Sequence, residues 1–164
     1  MESRTIFPMA AQKPIRVALV SLGCPKNLVD SESMLGALAE AGCVVGAPMY
    51  DADVIVINTC GFLSAARAES YDVIAEAVEH KKAGRARRVV VAGCLSTRDG
   101  ASVFEHAGDI DAVIGVNDRE HIVNAVLGEG RLSAIAGEPL PYRTDVQGDT
   151  GRFRLTPPHT AYLR

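Results

Sequence analysis

Three of the four cysteines, Cys24, Cys60 and Cys94, close apolar runs that pass directly into helical patterns. The runs are VALVSLGC (17–24), VIVINTC (54–60) and VVVAGC (89–94). In a parallel α/β sheet, the residues that close successive strands gather along one edge, where such sheets bind their ligands. We therefore predict that the three thiols share one crevice at that edge.

The fourth cysteine, Cys43, has a different setting. It opens the short run CVVG (43–46) and does not close a strand. It should therefore lie at the opposite edge of the sheet, where a free cysteine behaves as a small buried apolar side chain. We predict that Cys43 takes no part in the shared site.

Three thiols with no fourth ligand at a matching position are typical of an iron–sulfur cluster with one iron left open. A zinc site completed by water or histidine is a weaker alternative. Cysteine is also common as a small buried residue, and no CxxC pair strengthens the metal interpretation. The adjacent glycines, Gly23, Gly61 and Gly93, should let the backbone approach a bulky inorganic group.

The composition is that of a single cytoplasmic domain with tails. The chain has 164 residues, 48% of them apolar, with four Phe, four Tyr and no Trp, which indicates an aliphatic α/β core. A net charge of −3 gives no general nucleic-acid signature. No run is long enough for a membrane span, and the start resembles no secretory signal. The cysteines should then stay reduced, which favours metal or redox chemistry over disulfides.

Strand and helix patterns alternate along most of the chain and predict a doubly wound α/β fold. We expect a five-stranded, mostly parallel sheet with helices on both faces. The predicted strands are 16–22, 43–46, 53–57, 88–92 and 111–116. Residues 1–14 should form a flexible tail and 15–128 the domain. Residues 129–164, with scattered Gly and Pro and no periodicity, should form an extended linker toward an absent domain.

The residues around the three thiols resemble the cysteine motifs of a known family. SLGCPKNLVDSE (21–32), NTCGFLSAARAES (58–70) and GCLSTR (93–98) are similar to those of the N-terminal methylthiotransferase domain. The CPKN and NTCGF forms look like the RimO branch, which modifies an aspartate of a small-subunit ribosomal protein. The tRNA-modifying MiaB branch, usually with a GCQMN-type first motif, is the alternative. The resemblance covers about residues 16–128, and the terminal LTPPHTAYLR looks like the segment that precedes the family's radical S-adenosylmethionine domain.

The resemblance implies a role for each thiol. Cys24, Cys60 and Cys94 would hold an auxiliary 4Fe–4S cluster whose open iron receives sulfur or a methylthio group. In the complete enzyme, a second 4Fe–4S cluster on a CxxxCxxC motif cleaves S-adenosylmethionine. This chain contains no CxxxCxxC and no segment resembling the family's TRAM domain. We therefore expect it to be the sulfur-donor part, inactive on its own.

Three groups of polar residues near these motifs have two interpretations each. Asp30, Ser31 and Glu32 would either orient the first cysteine loop or, as we favour, cap a helix start. Asn58 and Thr59 would either donate hydrogen bonds to cluster sulfur or satisfy their turn, and the sequence leaves that open. The basic run 81–88 would either contact ribosomal RNA or, as we favour, form a solvated helix end, so direct nucleic-acid binding is disfavoured.

Other classes of protein fit the motifs less well. A flavodoxin-like phosphate binder would want a Gly-rich or Ser/Thr-rich loop, and SLGCPKN is a poor one. A cysteine-nucleophile phosphatase needs one activated thiol with an anion-binding loop, not three equivalent thiols. A non-catalytic iron–sulfur or zinc interaction module remains an open alternative.

Overall fold

The protein is a doubly wound α/β domain with an all-parallel sheet, as its computed structural model describes for residues 13–135, 153–157 and 160. Most of the predicted tail (1–14) therefore lies outside the described residues. The strands are β1 (Arg16–Ser21), β2 (Val44–Val45), β3 (Val54–Thr59), β4 (Arg88–Gly93), β5 (Ala112–Ile114) and β6 (Leu132–Ala134). The helices are α1 (Pro25–Glu40), α2 (Ser64–Lys82), α3 (Cys94–Asp99), α4 (Ser102–Ala107) and α5 (Ile122–Leu127).

The strand order places the cysteine-bearing turns side by side. The order is β2-β1-β3-β4-β5-β6, and every neighbouring pair is parallel. After β1 the chain adds β2 on one side and then β3 on the other. Sheets of this kind bind ligands beyond the carboxyl ends of the strands at such a reversal. The turns after β1, β3 and β4 are therefore adjacent at this edge.

The prediction of five strands was wrong by one, because β6 lies inside the range that we assigned to a linker. Its residues pair with β5 in parallel, Ala112 opposite Leu132 and Ile114 opposite Ala134. A three-residue edge strand is too short to show a periodicity of its own. The sheet thus continues past the predicted boundary at residue 128, and the extended linker is not confirmed.

The described part of the C-terminal segment contacts α1. The backbone N–H of Leu155 donates to Glu32 Oε1 at 2.7 Å, and that of Phe153 donates to the Glu32 carbonyl oxygen at 3.1 Å. Glu32 is itself buried in the middle of α1. Residues 153–157 therefore lie against the helix that begins beside Cys24.

Two apolar layers cover the sheet, one on each face. Helices α2, α3 and α4 pack on one face, with Ile74, Leu95 and Val103 in the core. Helices α1 and α5 pack on the other, with Leu38 and Ile122 in the core. Strands β3 and β4 are buried along their whole length, as expected of central parallel strands covered on both sides. This rigid centre positions the turns at its carboxyl edge.

The basic run 81–88 divides into solvated and structural residues. Lys82, Arg85 and Arg87 are exposed. Lys81, in contrast, contacts the carboxylates of Asp109 and Asp111 at 2.9 Å each. Arg88 is buried in β4 and donates to the carbonyl oxygens of Ala125 (3.0 Å) and Gly130 (2.9 Å). Two of the five cations therefore hold the fold together. In the part of the chain that the structure describes, no helix is long and apolar enough to cross a membrane.

Candidate metal centre

The structure brings Cys24, Cys60 and Cys94 together at the carboxyl edge of the sheet. Cys24 lies three residues beyond β1, at the residue that precedes α1. Cys60 follows β3 directly, and Cys94 follows β4 directly as the first residue of α3. Cys24 is exposed, whereas the other two are half-buried. One thiol of the three is therefore open to solvent and two are partly enclosed.

Cys43 lies apart from these thiols. It precedes β2, at the opposite edge of the sheet, and its backbone N–H donates to the Leu38 carbonyl oxygen at 3.0 Å. Only 8% of its surface is exposed, within the apolar layer that includes α1. Burial raises the pKa of this thiol, and the nearby Arg87 charge opposes that rise. Cys43 thus has the environment of a structural cysteine.

The three cysteine turns interlock through their glycines. A Cβ atom on Gly23 would lie 2.7 Å from the Cys60 Cβ and 3.1 Å from its Sγ. A Cβ atom on Gly61 would lie 2.8 Å from the Leu95 backbone nitrogen and 2.9 Å from the Cys94 carbonyl oxygen. We expected these glycines to make room for an inorganic group. The space is instead filled by the next protein turn, so glycine here lets the turns approach one another.

Asn27 contacts all three cysteine turns, and sequence reasoning missed it. Its Nδ2 donates to the carbonyl oxygens of Leu22 (2.8 Å) and Thr59 (2.9 Å). Its Oδ1 lies 3.7 Å from the Cys94 Sγ, as the acceptor of a thiol hydrogen bond. The side chain is buried, with 1% exposed. The signal available in the sequence was the asparagine of the CPKN motif.

Asn58 and Thr59 satisfy backbone and side-chain groups around their own turn. Asn58 Nδ2 donates to the Asn27 carbonyl oxygen (2.8 Å) and to Ser31 Oγ (2.9 Å). Thr59 Oγ1 donates to the Ala92 carbonyl oxygen at 2.6 Å, which joins the ends of β3 and β4. The observed contacts of both side chains therefore support the turn.

The helix-cap interpretation of Asp30, Ser31 and Glu32 was wrong. Helix α1 begins at Pro25, so the three residues lie in its second turn and beyond, and all three are buried. Asp30 pairs with Lys26 at 3.0 Å and with Arg119. Ser31 Oγ donates to Ser21 Oγ at 2.9 Å. These polar groups join α1 to the strand ends and to the segment before α5.

The donor set at this edge fits an iron–sulfur cluster. Among residues 13–135, 153–157 and 160, no three His, Cys, Asp or Glu side chains gather at the spacing that one metal ion requires. The donors at this edge are three thiols on three separate turns, and thiolate is the common protein ligand of iron–sulfur clusters. A cluster has several iron atoms, so its ligands can stand farther apart than those of one zinc ion.

Comparison with known proteins identifies the family of this chain. Residues 16–115, which include all three thiols, match the profile of uncharacterized protein family UPF0004. The chain belongs to this family. The cysteine turns that follow β1, β3 and β4 all lie within the matched region.

Three similar proteins have the same name. All are called ribosomal protein uS12 methylthiotransferase RimO, and they confirm the resemblance drawn from the cysteine motifs. The protein of Symbiobacterium thermophilum is 41% identical, over 94% of this chain and 32% of its own length. That of Koribacter versatilis is 49% identical, over 74% and 24%. That of Pelotomaculum thermopropionicum is 42% identical, over 92% and 34%. The chain spans about a third or less of the length of these relatives.

Charges near Cys94 act on its thiol in both directions. Burial raises the pKa of the Cys94 thiol, and the Lys26 ammonium opposes that rise. Coulombic repulsion from the charged forms of Cys60, Cys24 and Asp30 raises the pKa of Cys94 further. In the metal-free chain, Cys94 is therefore protonated at neutral pH, and metal binding would displace its proton.

Helix α3, which begins at Cys94, is fixed at its far end by Asp99. The Asp99 Oδ2 accepts hydrogen bonds from Arg67 Nη2 (2.9 Å) and the Tyr71 hydroxyl (2.8 Å), both on α2. Arg98 Nη1 also donates to the Gly61 carbonyl oxygen at 2.8 Å. The short helix is thus held against α2 and the Cys60 turn.

Removing the Tyr71 hydroxyl should remove part of the alkaline loss of stability. Burial, and then the bond to Asp99, raises the pKa of Tyr71 to about 12. The unfolded tyrosine titrates at about 10. The folded state therefore holds the proton more tightly, and this stabilisation is present below pH ~10 and lost as pH rises toward the folded value. Urea unfolding across this range should show a shallower decline in Tyr71→Phe than in wild type.

The matched control is Tyr50→Phe, because the Tyr50 side chain is exposed. This variant should keep the wild-type pH dependence of the free energy of unfolding. The same alkaline slope in wild type and Tyr71→Phe would show that the Tyr71 proton makes no contribution.

Proposed function

We propose that this chain is the sulfur-donor part of a methylthiotransferase and binds an auxiliary 4Fe–4S cluster. Cys24, Cys60 and Cys94 would be its ligands. The observation that carries the proposal is the position of these three thiols on adjacent turns at one sheet edge. When bound, the cluster would supply an iron without a protein ligand, to which sulfur can attach.

The residues of this chain would hold and enclose that group. The interlocked glycine turns fix the backbone beneath the thiols, and the Asp99 contacts fix the helix that begins at Cys94. Exposed Cys24 leaves one side of the site open to a sulfur donor. Phe62 and Leu63, 85% and 61% exposed, follow Gly61 in the turn after Cys60 and add apolar surface there.

We further propose a place for the chain in a larger reaction. The names of its relatives indicate ribosomal protein uS12 as the substrate of those proteins. A RimO-like enzyme of the cytoplasm, adding a methylthio group to an aspartate, accounts for both the motifs and the relatives. S-adenosylmethionine and a second 4Fe–4S cluster would be bound by a further domain of the complete enzyme. The tRNA-modifying MiaB type has less support, because the similar proteins named above are uS12 enzymes.

Metal content of the anaerobically purified 164-residue chain tests the proposal directly. We expect brown protein with iron and acid-labile sulfide in about equal amounts, as in a 4Fe–4S cluster. Colourless protein with bound zinc would indicate an interaction module. Protein that takes up neither metal, even after reconstitution with iron and sulfide, would contradict cluster binding.

The chain alone should not cleave S-adenosylmethionine. It has four cysteines in total, of which three lie at the candidate site and Cys43 is buried at the other edge. No thiols remain for the second cluster that performs the cleavage in the resembled family. Reconstituted chain with dithionite and S-adenosylmethionine should form no deoxyadenosine above an iron-free control. Deoxyadenosine that depends on the three site cysteines would make this domain a radical enzyme itself.

A further inference from the structure

We infer that Asn27 is the positioning residue that sets the relative placement of the three thiols, a role that rests on the proposed function. Asn27 is not a thiol and has no place in the ligand set. Its side chain nevertheless has a contact in each of the three cysteine turns. The inference concerns how far apart the ligands stand, not which residues they are.

The three contacts reach three different strand ends. Leu22 lies between β1 and Cys24, and Thr59 is the last residue of β3, directly before Cys60. Cys94 is the residue after β4. A single buried amide therefore spans the ends of β1, β3 and β4. If one turn moved relative to the other two, its contact with the Asn27 side chain would break.

The orientation of this amide is fixed by its surroundings. Two carbonyl oxygens face its Nδ2, at 2.8 Å and 2.9 Å. A flipped amide would place Oδ1 against both carbonyl oxygens. Three acceptor oxygens would then face one another with no hydrogen to share, which is unfavourable. The Oδ1 end must therefore face the Cys94 Sγ. The backbone carbonyl oxygen of Asn27 also accepts a hydrogen bond from Asn58 Nδ2, which holds the residue from a second side.

Asn27→Asp tests this role with almost no change in side-chain shape. The substitution replaces the two N–H donors with an acceptor, so the Leu22 and Thr59 carbonyl oxygens lose their partner. Asn117→Asp, on an exposed loop, is the control for the added charge. Asn27→Asp also buries a charge, which could unfold the domain. Asn27→Ser, with one donor and no charge, is therefore the second variant. Far-UV circular dichroism establishes that each variant is folded.

Two measurements separate the inference from the proposed function. The first is amide hydrogen exchange of the metal-free chain, followed at the turns 22–24, 59–61 and 93–95. We expect roughly tenfold or faster exchange at all three turns in Asn27→Ser, whose shorter side chain loses the contacts of the amide. In Asn27→Asp, which keeps an acceptor for the Cys94 thiol, we expect it at 22–24 and 59–61. The second is reconstitution, in which both variants should bind less than about half the iron and sulfide of wild type and show an altered visible spectrum.

The outcomes are distinct. Faster exchange confined to 22–24, or wild-type iron content with an unchanged spectrum, would overturn the role of Asn27 and leave the proposed function intact. A second outcome is faster exchange at all three turns in Asn27→Ser together with a wild-type chain that binds no cluster. This would contradict the proposed function, while the role of Asn27 in placing the thiols would stand. Asn117→Asp should match wild type in both measurements.

Discussion

Replacing Cys24, Cys60 or Cys94 with alanine is expected to abolish binding of iron and sulfide, whereas Cys43→Ala should bind both in full. The three thiols stand on three separate turns at one edge of the sheet. A cluster that already has one iron without a protein ligand would be left with two thiolates. Such a site tolerates further loss poorly.

Stability should change in the opposite order, which makes the comparison informative. Cys43 is buried in the core, so Cys43→Ala removes packed volume and should cost about 1 kcal/mol of the free energy of unfolding. Cys24 is exposed, so Cys24→Ala should leave the metal-free domain nearly as stable as wild type. Iron and acid-labile sulfide per chain, with urea unfolding of the metal-free protein, give both quantities. Full iron in Cys60→Ala would refute the ligand assignment.

The placement of the three thiols was predictable because it follows from local sequence signals. The continuous apolar runs of β3 and β4 identify central parallel strands, and strands of this kind must end at a common edge. The position of each thiol directly after such a run therefore fixes its place in the fold. Cys43 could be separated from the others by the same reasoning, since it precedes its strand.

Residues whose partners are distant in sequence could not be interpreted in this way. Asp30 and Glu32 were predicted to cap a helix because acidic residues are common near helix starts. Their burial depends on Arg119, 89 residues away, and on the Leu155 amide, 123 residues away. A polar residue is buried where its partner reaches it, and a single sequence does not show that partner.

Asn27 and β6 were missed for related reasons. The amide of Asn27 binds carbonyl oxygens, which every residue has, so no particular residue type marks its partners. Strand β6 has three residues and becomes a strand only by pairing with β5. In both cases the tertiary structure decides, and local propensity contributes little.

Gly93→Ala is expected to cost about 3 kcal/mol or more of the free energy of unfolding, the largest loss of stability among the substitutions considered. Gly93 has φ of +99°, where an alanine is strained by about 1–2 kcal/mol. A Cβ atom would also lie 2.6 Å from the Thr59 carbonyl oxygen and 2.9 Å from the Thr59 nitrogen, and still closer to Asn58 Oδ1. These overlaps add about 1–3 kcal/mol. Thr59 pairs with Gly93 in the sheet, so its backbone has little room to move.

Gly42→Ala separates the two parts of this cost. Gly42 has a similar φ of +87°, but a Cβ atom there would meet nothing within 4 Å. It should therefore lose only the conformational part, about 1–2 kcal/mol. Urea unfolding of both metal-free variants gives the difference, which measures how closely the turns after β3 and β4 approach. Equal losses in the two variants would mean that this close approach costs nothing to relax. The interlocked turns would then not be what holds Cys60 and Cys94 in place.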